Sequence, residues 1–257
     1  WRAMNLPDPN ASSFREGLAE PLEELREAWE ITGQSGQPGE TTPALLVETF
    51  QHLYEAMQRT EASILANMEA GSSGNQATPN DVSELGEYAL EMFEQAGHWA
   101  KHLKLPDVFE RLQAFTISMA LWVAGHGGQL LTLESVVDAL AQAANSTGEP
   151  EELFSLYDAM TNIMAATSPM IARDLETVNP GRPWRLLNLN RAIVATRTHQ
   201  PDIMEEAFST LTEQLPNDAP GFFTQGMEQM DLLNYPPQVR EVMDRYYRKW
   251  SVNRSLH

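Results

Sequence analysis

The sequence predicts an all-α fold of stacked antiparallel helical hairpins, with an irregular helical bundle as the alternative. One observation is a recurring helix start, in which a proline is followed by a polar or acidic residue and then by an amphipathic apolar run. Such starts begin at Pro79, Pro106, Pro150, Pro201 and Pro237. Proline suits the first turn of a helix because its missing N–H would be unpaired there anyway. A second observation is that no segment alternates apolar and polar residues as a half-buried strand does, so no sheet is expected.

Shifts in composition divide the chain into an arm, a hairpin, a linker and a repeat domain. The arm is rich in proline and asparagine, and the linker contains the glycine- and serine-rich run GSSGNQAT. The predicted boundaries are 1–11 for the extended arm, 12–70 for the acidic helical hairpin, 71–79 for the linker and 80–257 for the helical-repeat domain.

Helical periodicity places the individual helices. In the N-terminal hairpin, Ser12 or Ser13 is expected to cap a first helix that runs to about Ile31. Pro43 opens a second helix that runs to about Ala70. Short turns between helices favour antiparallel neighbours. Further helices are predicted near 80–103, 106–124, 132–145, 150–167, 183–198, 201–214, 218–233 and 237–251, with a short one near 169–177.

Composition narrows the class of function. The chain holds 257 residues, 42 % of them apolar, and no cysteine, which excludes disulfide frameworks and thiolate zinc sites. A net charge of −19 argues against nucleic-acid binding, which depends on neutralising phosphates. No apolar run approaches the roughly 18 residues that a membrane span needs. Residues 1–100 carry 17 acidic and 4 basic side chains, so the acidic hairpin is a candidate docking surface for a basic partner.

We expect a cytoplasmic protein of bacterial origin. Lysine is scarce, with 3 lysines against 14 arginines, a bias that suggests a GC-rich bacterial genome. Because the sequence begins at Trp1, a periplasmic or anchored form stays open as an alternative.

One stripe of histidine and carboxylate side chains is a candidate metal site. Glu94, His98 and His102 lie at positions i, i+4 and i+8 of a predicted helix, a spacing that lets imidazole and carboxylate share a metal. The apolar residues of that helix fall on the opposite face. The favoured interpretation is therefore a solvated stripe with helix-stabilising Glu–His pairs. No pattern in the sequence requires a cofactor, and none is predicted.

A glycine-rich turn, Gly125-His126-Gly127-Gly128, follows the most apolar predicted helix. Such a turn can expose its histidine, so His126 is the candidate residue for contact with a ligand. The turn lacks the lysine and the spacing of a phosphate-binding loop. A helix C-cap with a sharp reversal of the chain is the favoured interpretation.

A group of arginines is the candidate partner-binding site. No lysine or arginine occurs from 112 to 172, and five arginines then follow within 25 residues. Guanidinium and carboxamide groups on successive turns of one helix can clamp a carboxylate or a peptide backbone. Internal salt bridges to neighbouring helices are the favoured alternative. The candidate groove residues are Arg182, Trp184, Arg185, Asn188 and Arg191.

The best internal match pairs residues 184–214 with residues 222–250. Each unit carries an aromatic residue near its start and a proline that opens its second helix. The aromatic residues, Trp184 and Phe222, lie 38 positions apart, and the prolines, Pro201 and Pro237, lie 36 apart. These spacings lie between those of two known classes of helical repeat.

Ala207, followed by the helix-ending Leu215-Pro216, gives this region a second helix that resembles that of the tetratricopeptide repeat family. The resemblance covers residues 180–251. It implies a curved solenoid whose concave groove receives a peptide or a partner helix.

We therefore expect a non-enzymatic adaptor or scaffold that binds a protein segment along a groove lined by helix 183–198 and its equivalents. The main alternative is an α-helical enzyme or a protein that binds a metal or small ligand. Its pocket would lie between hairpins, near Trp122, His126, Trp184 and Arg185. A third alternative is a self-assembling structural protein, with homo-oligomers as its expected form.

Overall fold

The computed structural model describes residues 6–33, 41–70 and 77–252, and these are mostly helical. No strand is present among them, and one isolated parallel bridge joins Leu130 to Thr167. The predicted all-α class is confirmed. The helices are α1 (Ala11–Ile31), α2 (Pro43–Ala70), α3 (Pro79–His102), α4 (Pro106–Gly125), α5 (Glu134–Ser146), α6 (Pro150–Ala166), α7 (Pro169–Ala172), α8 (Pro183–Arg197), α9 (Pro201–Gln214), α10 (Ala219–Leu233) and α11 (Pro237–Tyr247), which continues into a π-helical turn at Arg248–Val252.

Proline opens most of these helices. The five predicted proline starts are confirmed as the first residues of α3, α4, α6, α9 and α11, and prolines also open α2, α7 and α8. Helices α3, α4, α6 and α9 each carry an acidic side chain in the first turn, where it faces the positive end of the helix dipole. The starts of these helices could therefore be predicted from the local sequence alone.

The caps of α1 and α3 show how side chains satisfy the first amides of a helix. In α1 the prediction of Ser12 or Ser13 as the cap was wrong, because Asn10 caps the helix and accepts a hydrogen bond from the amide of Ser13 at 2.9 Å. In α3, Thr78 and Asp81 form a reciprocal capping box. The amide of Thr78 donates to the Asp81 carboxylate at 2.7 Å and holds the pKa of that carboxyl below its usual value.

The chain forms two compact units. The first unit is Trp1–Leu140 with Ala165–Ser168, and the second is Ala141–Met164 with Pro169–His257. Most of the predicted linker at 71–79 lies outside the described residues. Helices α1 and α2 pack against α3 and α4 within the first unit. Among the described helices, none combines the length and the apolar character needed to cross a membrane.

A cluster of four phenylalanine rings forms the centre of the first unit. Each of the helices α1 to α4 contributes one ring, from Phe14, Phe50, Phe93 and Phe115, and all four are buried. Phe93 lies at the middle, with ring centroids 5.1 Å from Phe50, 6.1 Å from Phe14 and 6.5 Å from Phe115. The four helices therefore bury their apolar faces against one another around a single core.

Helices α3 and α4 approach closely at Gly86. A Cβ atom added at Gly86 would overlap Cγ2 of Val123 on α4. Helix propensity alone favours alanine over glycine by about 1 kcal/mol. Here the overlap outweighs that preference, since forcing an extra methyl group into a packed core costs about 1–3 kcal/mol.

We expect Gly86→Ala to lower the free energy of unfolding by up to about 2 kcal/mol, measured by urea denaturation followed by circular dichroism. In a Val123→Ala background the obstructing methyl groups are gone. There the same substitution is expected to be neutral or to stabilise the protein. Stabilisation by Gly86→Ala in the otherwise unchanged chain would contradict this account of the helix contact.

The second unit contains two successive helical hairpins. Helix α8 packs against α9, α10 packs against α11, and α9 packs against α11. Phe208 on α9 contacts rings of α10 and α11, with centroids 5.2 Å from Phe223 and 5.3 Å from Tyr246. The pairing of helices agrees with the internal match in the sequence. Membership of the tetratricopeptide repeat family stays a prediction.

Candidate functional site

The histidine and carboxylate stripe of α3 lies on the surface. Glu94, His98 and His102 are all exposed, and the His102 ring meets the Trp99 ring edge-on with centroids 5.7 Å apart. Within the described parts of the chain, no three histidine, aspartate or glutamate side chains are grouped so that they could hold a metal ion. The metal interpretation of this stripe therefore has no geometric support.

His126 is the C-cap residue of α4. Its Nδ1 atom lies 2.7 Å from the carbonyl oxygen of Trp122, and its ring packs on the indole of Trp122 with centroids 4.7 Å apart. Gly127 follows with a φ of +76°, a conformation that glycine adopts readily and other residues rarely adopt. This geometry agrees with the C-cap interpretation.

The four residues named for the pocket of an enzyme or ligand-binding protein are divided between the two units. Trp122 and His126 belong to the first unit, whereas Trp184 and Arg185 belong to the second. The pocket that these four residues would share stays a prediction.

The structure brings Arg182 and Arg185 together on one carboxylate. Nη2 of Arg182 lies 3.1 Å from Oδ2 of Asp218, and Nε of Arg185 lies 2.5 Å from Oδ1 of the same side chain. Arg182 is buried and also donates to Asp174, with Nη2 at 2.8 Å from Oδ2. These hydrogen bonds, first of all that to Asp174, raise the pKa of Arg182 above its usual value.

Arg191 lies apart from this pair and connects three helices. Its guanidinium donates to the Tyr157 hydroxyl at 2.6 Å and to the Thr161 hydroxyl at 2.8 Å, both on α6. It also donates to the Glu206 carboxylate on α9 at 2.7 Å, and it stacks over the Tyr157 ring at 4.5 Å. Burial raises the pKa of Tyr157 to about 12. Arg191 therefore acts as a buried cross-link between α6, α8 and α9.

Trp184 and Asn188 face the interior of the second unit. Both side chains are buried, and Nδ2 of Asn188 donates to the carbonyl oxygen of Trp184 at 2.9 Å. The indole Nε1 of Trp184 and Oδ1 of Asn188 have no hydrogen-bond partner among the described residues. Of the five candidate groove residues, only Arg185 keeps some exposure. A partner cannot reach the other four without opening the unit.

An apolar cavity of about 340 Å³ lies between α8 and α10 instead. It shares α8 with the groove expected from the sequence, but it uses the opposite, C-terminal half of that helix. None of its lining residues was among the candidates. They are Ile193, Thr196, Arg197, Phe222, Gln225, Gly226, Gln229, Met230, Leu233, Tyr235 and Met243.

The cavity has an apolar floor and an exposed rim. Met230 and Met243 are buried, whereas Ile193 and Leu233 are exposed. Gly226 belongs to α10, and a Cβ atom there would come within 2.6 Å of Sδ of Met243. The missing side chain thus leaves room for Met243 beneath α10. The sequence carries one signal for this surface, since Gln225, Gln229 and Leu233 follow one another at intervals of four and so share a helix face.

Arg197 is the only charged residue among the described lining residues. Its guanidinium donates to the carbonyl oxygens of Ala144, at 2.5 Å, and Thr147, which lie at the C-terminal end of α5. Cations are favoured at that end of a helix. Because these partners are carbonyls, the positive charge of Arg197 is not neutralised by a carboxylate at this contact.

Comparison with protein-family models, with curated proteins and with solved structures finds no match to this chain.

Proposed function

We propose that this chain is a non-enzymatic adaptor that binds an extended peptide segment of a partner protein in the α8–α10 cavity. The segment would place a bulky apolar side chain in the cavity and an acidic residue beside it. The observation that carries the proposal is an apolar cavity with an exposed rim, located between the first helices of two successive hairpins.

The size and lining of the cavity suit a side-chain anchor. A volume of about 340 Å³ lies near the lower end of the range for ligand pockets, about 300–1,000 Å³. It accommodates one or two large apolar side chains but not a whole helix. Met230 and Met243 at the floor are unbranched and polarizable, so they can adjust to anchors of different shape.

Two carboxamides on the rim suit the backbone of an extended peptide. Gln225 and Gln229 are exposed one turn apart on α10, a spacing that puts their Cβ atoms about 6 Å apart. Alternate residues of an extended chain lie about 6.7 Å apart. Each carboxamide offers donors and an acceptor, so the two side chains can bond the N–H and C=O groups of alternate peptide residues.

The positive charge of Arg197 favours peptides that carry an acidic residue near the anchor. Arg197 places one positive charge at the cavity, and no described lining residue carries a negative charge. An aspartate or glutamate next to the anchor would gain a charge-assisted hydrogen bond. A peptide with a basic residue at that position would bind more weakly, because its charge would be repelled by Arg197.

A small apolar molecule is the second candidate occupant. The same volume and the apolar floor favour it, because sites for small molecules are concave and lined mostly by apolar side chains. The two candidates differ in their need for the carboxamides of Gln225 and Gln229. A peptide uses them for its backbone, whereas an apolar molecule does not.

Selection of short random peptides on the immobilised protein tests the proposal. We expect enriched peptides to carry a large apolar residue next to an acidic one. Leu233→Ser should weaken their binding about tenfold in fluorescence anisotropy, because it removes apolar contact at the rim. The matched control is Leu232→Ser, since Leu232 is also exposed on α10 but does not line the cavity.

Equal effects of the two substitutions, or no enrichment of peptides at all, would contradict the proposal. Binding that survives Gln225→Ala with Gln229→Ala but is lost in Leu233→Ser would favour the small-molecule alternative.

A further inference from the structure

The second unit carries a loop with exposed apolar side chains as well as a cavity. The loop, defined here as residues 173–182, connects α7 to α8. Leu175 is 78 % exposed, Val178 is 94 % exposed, and Met170 just before the loop is 76 % exposed. Isolated apolar residues are common on protein surfaces, but three large exposed ones within nine positions of the chain are typical of an interaction surface.

Two arginines hold the backbone of this loop. The buried guanidinium of Arg182 donates to the carbonyl oxygens of Thr177 at 3.4 Å and Asn179 at 3.1 Å, in addition to its contact with Asp174. Arg185 donates to the carbonyl oxygen of Pro180 at 2.9 Å. The loop is therefore fixed from inside while its apolar side chains point outward. A surface ordered in advance loses less conformational entropy when it binds a partner.

The loop cannot fill the cavity of its own chain. Arg182 fastens it at the beginning of α8, whereas the cavity begins at Ile193, ten residues further along that helix. Ten residues of α-helix span about 15 Å. Release of the loop toward the cavity would also leave the buried Arg182 without its carbonyl partners, which is costly.

The loop matches the chemistry of the cavity. Its sequence places Leu175 directly before Glu176, so an exposed apolar side chain stands next to an exposed carboxylate. The cavity presents an apolar floor and the positive charge of Arg197. These are the two features that the proposed peptide ligand must have, and the chain carries both on its own surface.

We infer that two copies of this chain form a dimer in which the loop of each copy docks on the other. Leu175 of each copy enters the α8–α10 cavity of the other, and Glu176 lies beside the other copy's Arg197. A two-fold arrangement satisfies both contacts at once and closes the assembly as a dimer. This inference rests on the proposed function, because it uses the same cavity. A dimer formed in this way would compete with partner peptides for the cavity.

Sedimentation equilibrium of the full chain over a range of protein concentrations tests the inference. We expect the mass to rise from monomer toward dimer. The double substitution Leu175→Ser with Val178→Ser, and separately Leu233→Ser, should each weaken association by about tenfold or more. Leu232→Ser should leave it unchanged. A monomer at every concentration, growth beyond the dimer, or equal association in the loop variant would overturn the inference.

Mixing the loop variant with the cavity variant gives a result that misfolding cannot imitate. Each variant alone lacks both reciprocal contacts, but a mixed pair regains one intact loop facing one intact cavity. We expect the mixture to associate more strongly than either variant alone. Association no stronger than that of the separate variants would overturn the inference.

Peptide binding separates failure of the dimer from failure of the cavity as a binding site. If the unchanged chain is a monomer but still binds selected peptides, and the loop variant binds them equally, only the dimer is contradicted. If Leu233→Ser affects neither the peptides nor the dimer, the proposed function fails as well.

Discussion

Replacing Arg191 by leucine is expected to lower the free energy of unfolding of the second unit by about 3 kcal/mol. Arg191 is 3 % exposed and serves two buried or half-buried hydroxyl groups, on Tyr157 and Thr161, besides its ion pair. Leucine fills part of the space but bonds neither hydroxyl. Thr161 Oγ1 keeps its own hydrogen bond to the carbonyl oxygen of Tyr157 at 2.9 Å. Each hydroxyl nevertheless loses a hydrogen bond to a charged group, and such a bond contributes about 1.5–3 kcal/mol.

The ion pair itself contributes little to this estimate. The side chain of Glu206 is 59 % exposed, so its carboxylate stays hydrated when Arg191 is removed. The expected loss therefore comes from the hydrogen bonds to the two hydroxyls and not from a buried charge left unpaired. Amide hydrogen exchange of peptides from α8 and α9 measures the local free energy of opening, which is the quantity that should fall.

Two further variants make the Arg191 prediction specific. Arg248→Ala removes an exposed i,i+4 pair with Asp244 and should change stability by less than about 1 kcal/mol. Tyr157→Phe and Arg191→Leu remove the same hydrogen bond, so the double substitution should cost about 1 kcal/mol less than the sum of the two single losses. A loss no larger in Arg191→Leu than in Arg248→Ala would show that the buried cross-link is not a main source of stability.

Replacing Phe93 by alanine is expected to lower the free energy of unfolding of the first unit by about 3–5 kcal/mol. Phe93 is 2 % exposed and packs against rings from three other helices. The substitution removes the transfer free energy of the ring and leaves a cavity that the surrounding rings fill only partly. The aromatic contacts themselves add to that loss.

Hydrogen exchange of peptides from α3 and α4 measures this loss in the first unit. The matched control is Tyr88→Ala, one aromatic residue on the exposed side of the same helix, which should change stability by no more than about 0.5 kcal/mol. Phe93→Leu should fall between the two, because leucine keeps most of the apolar volume. Equal effects of Phe93→Ala and Tyr88→Ala would mean that the four-ring cluster is not the centre of this core.

Helix positions were largely predictable from the sequence, because helix starts and amphipathic faces are local properties. The prolines that open α3, α4, α6, α9 and α11 lie where the pattern placed them. The cap of α1 was missed because Asn10 lies in a segment assigned to an extended arm. The grouping of α1 to α4 into one unit was also missed. An apolar stripe shows that a helix must be covered, but not which helix covers it.

The candidate site was less predictable, because it depends on contacts between distant residues. Arg191 meets Tyr157, which lies 34 positions earlier, and Arg185 meets Asp218, which lies 33 positions later. No local pattern shows that those partners are within reach, so an exposed cluster and a buried network look alike in the sequence. The cavity likewise depends on Met243 packing beneath Gly226, a contact between two helices that only the fold establishes.

The two methionines at the floor of the cavity have a consequence for redox chemistry. Oxidation to the sulfoxide would turn an apolar thioether into a polar group and would make the cavity floor polar. Met230 and Met243 are each only 1 % exposed, whereas Met170 beside the loop is 76 % exposed. Since oxidants reach accessible sulfur first, Met170 should be oxidised before Met230 and Met243. Mild oxidation is therefore expected to modify Met170 beside the loop while Met230 and Met243 keep the cavity floor apolar.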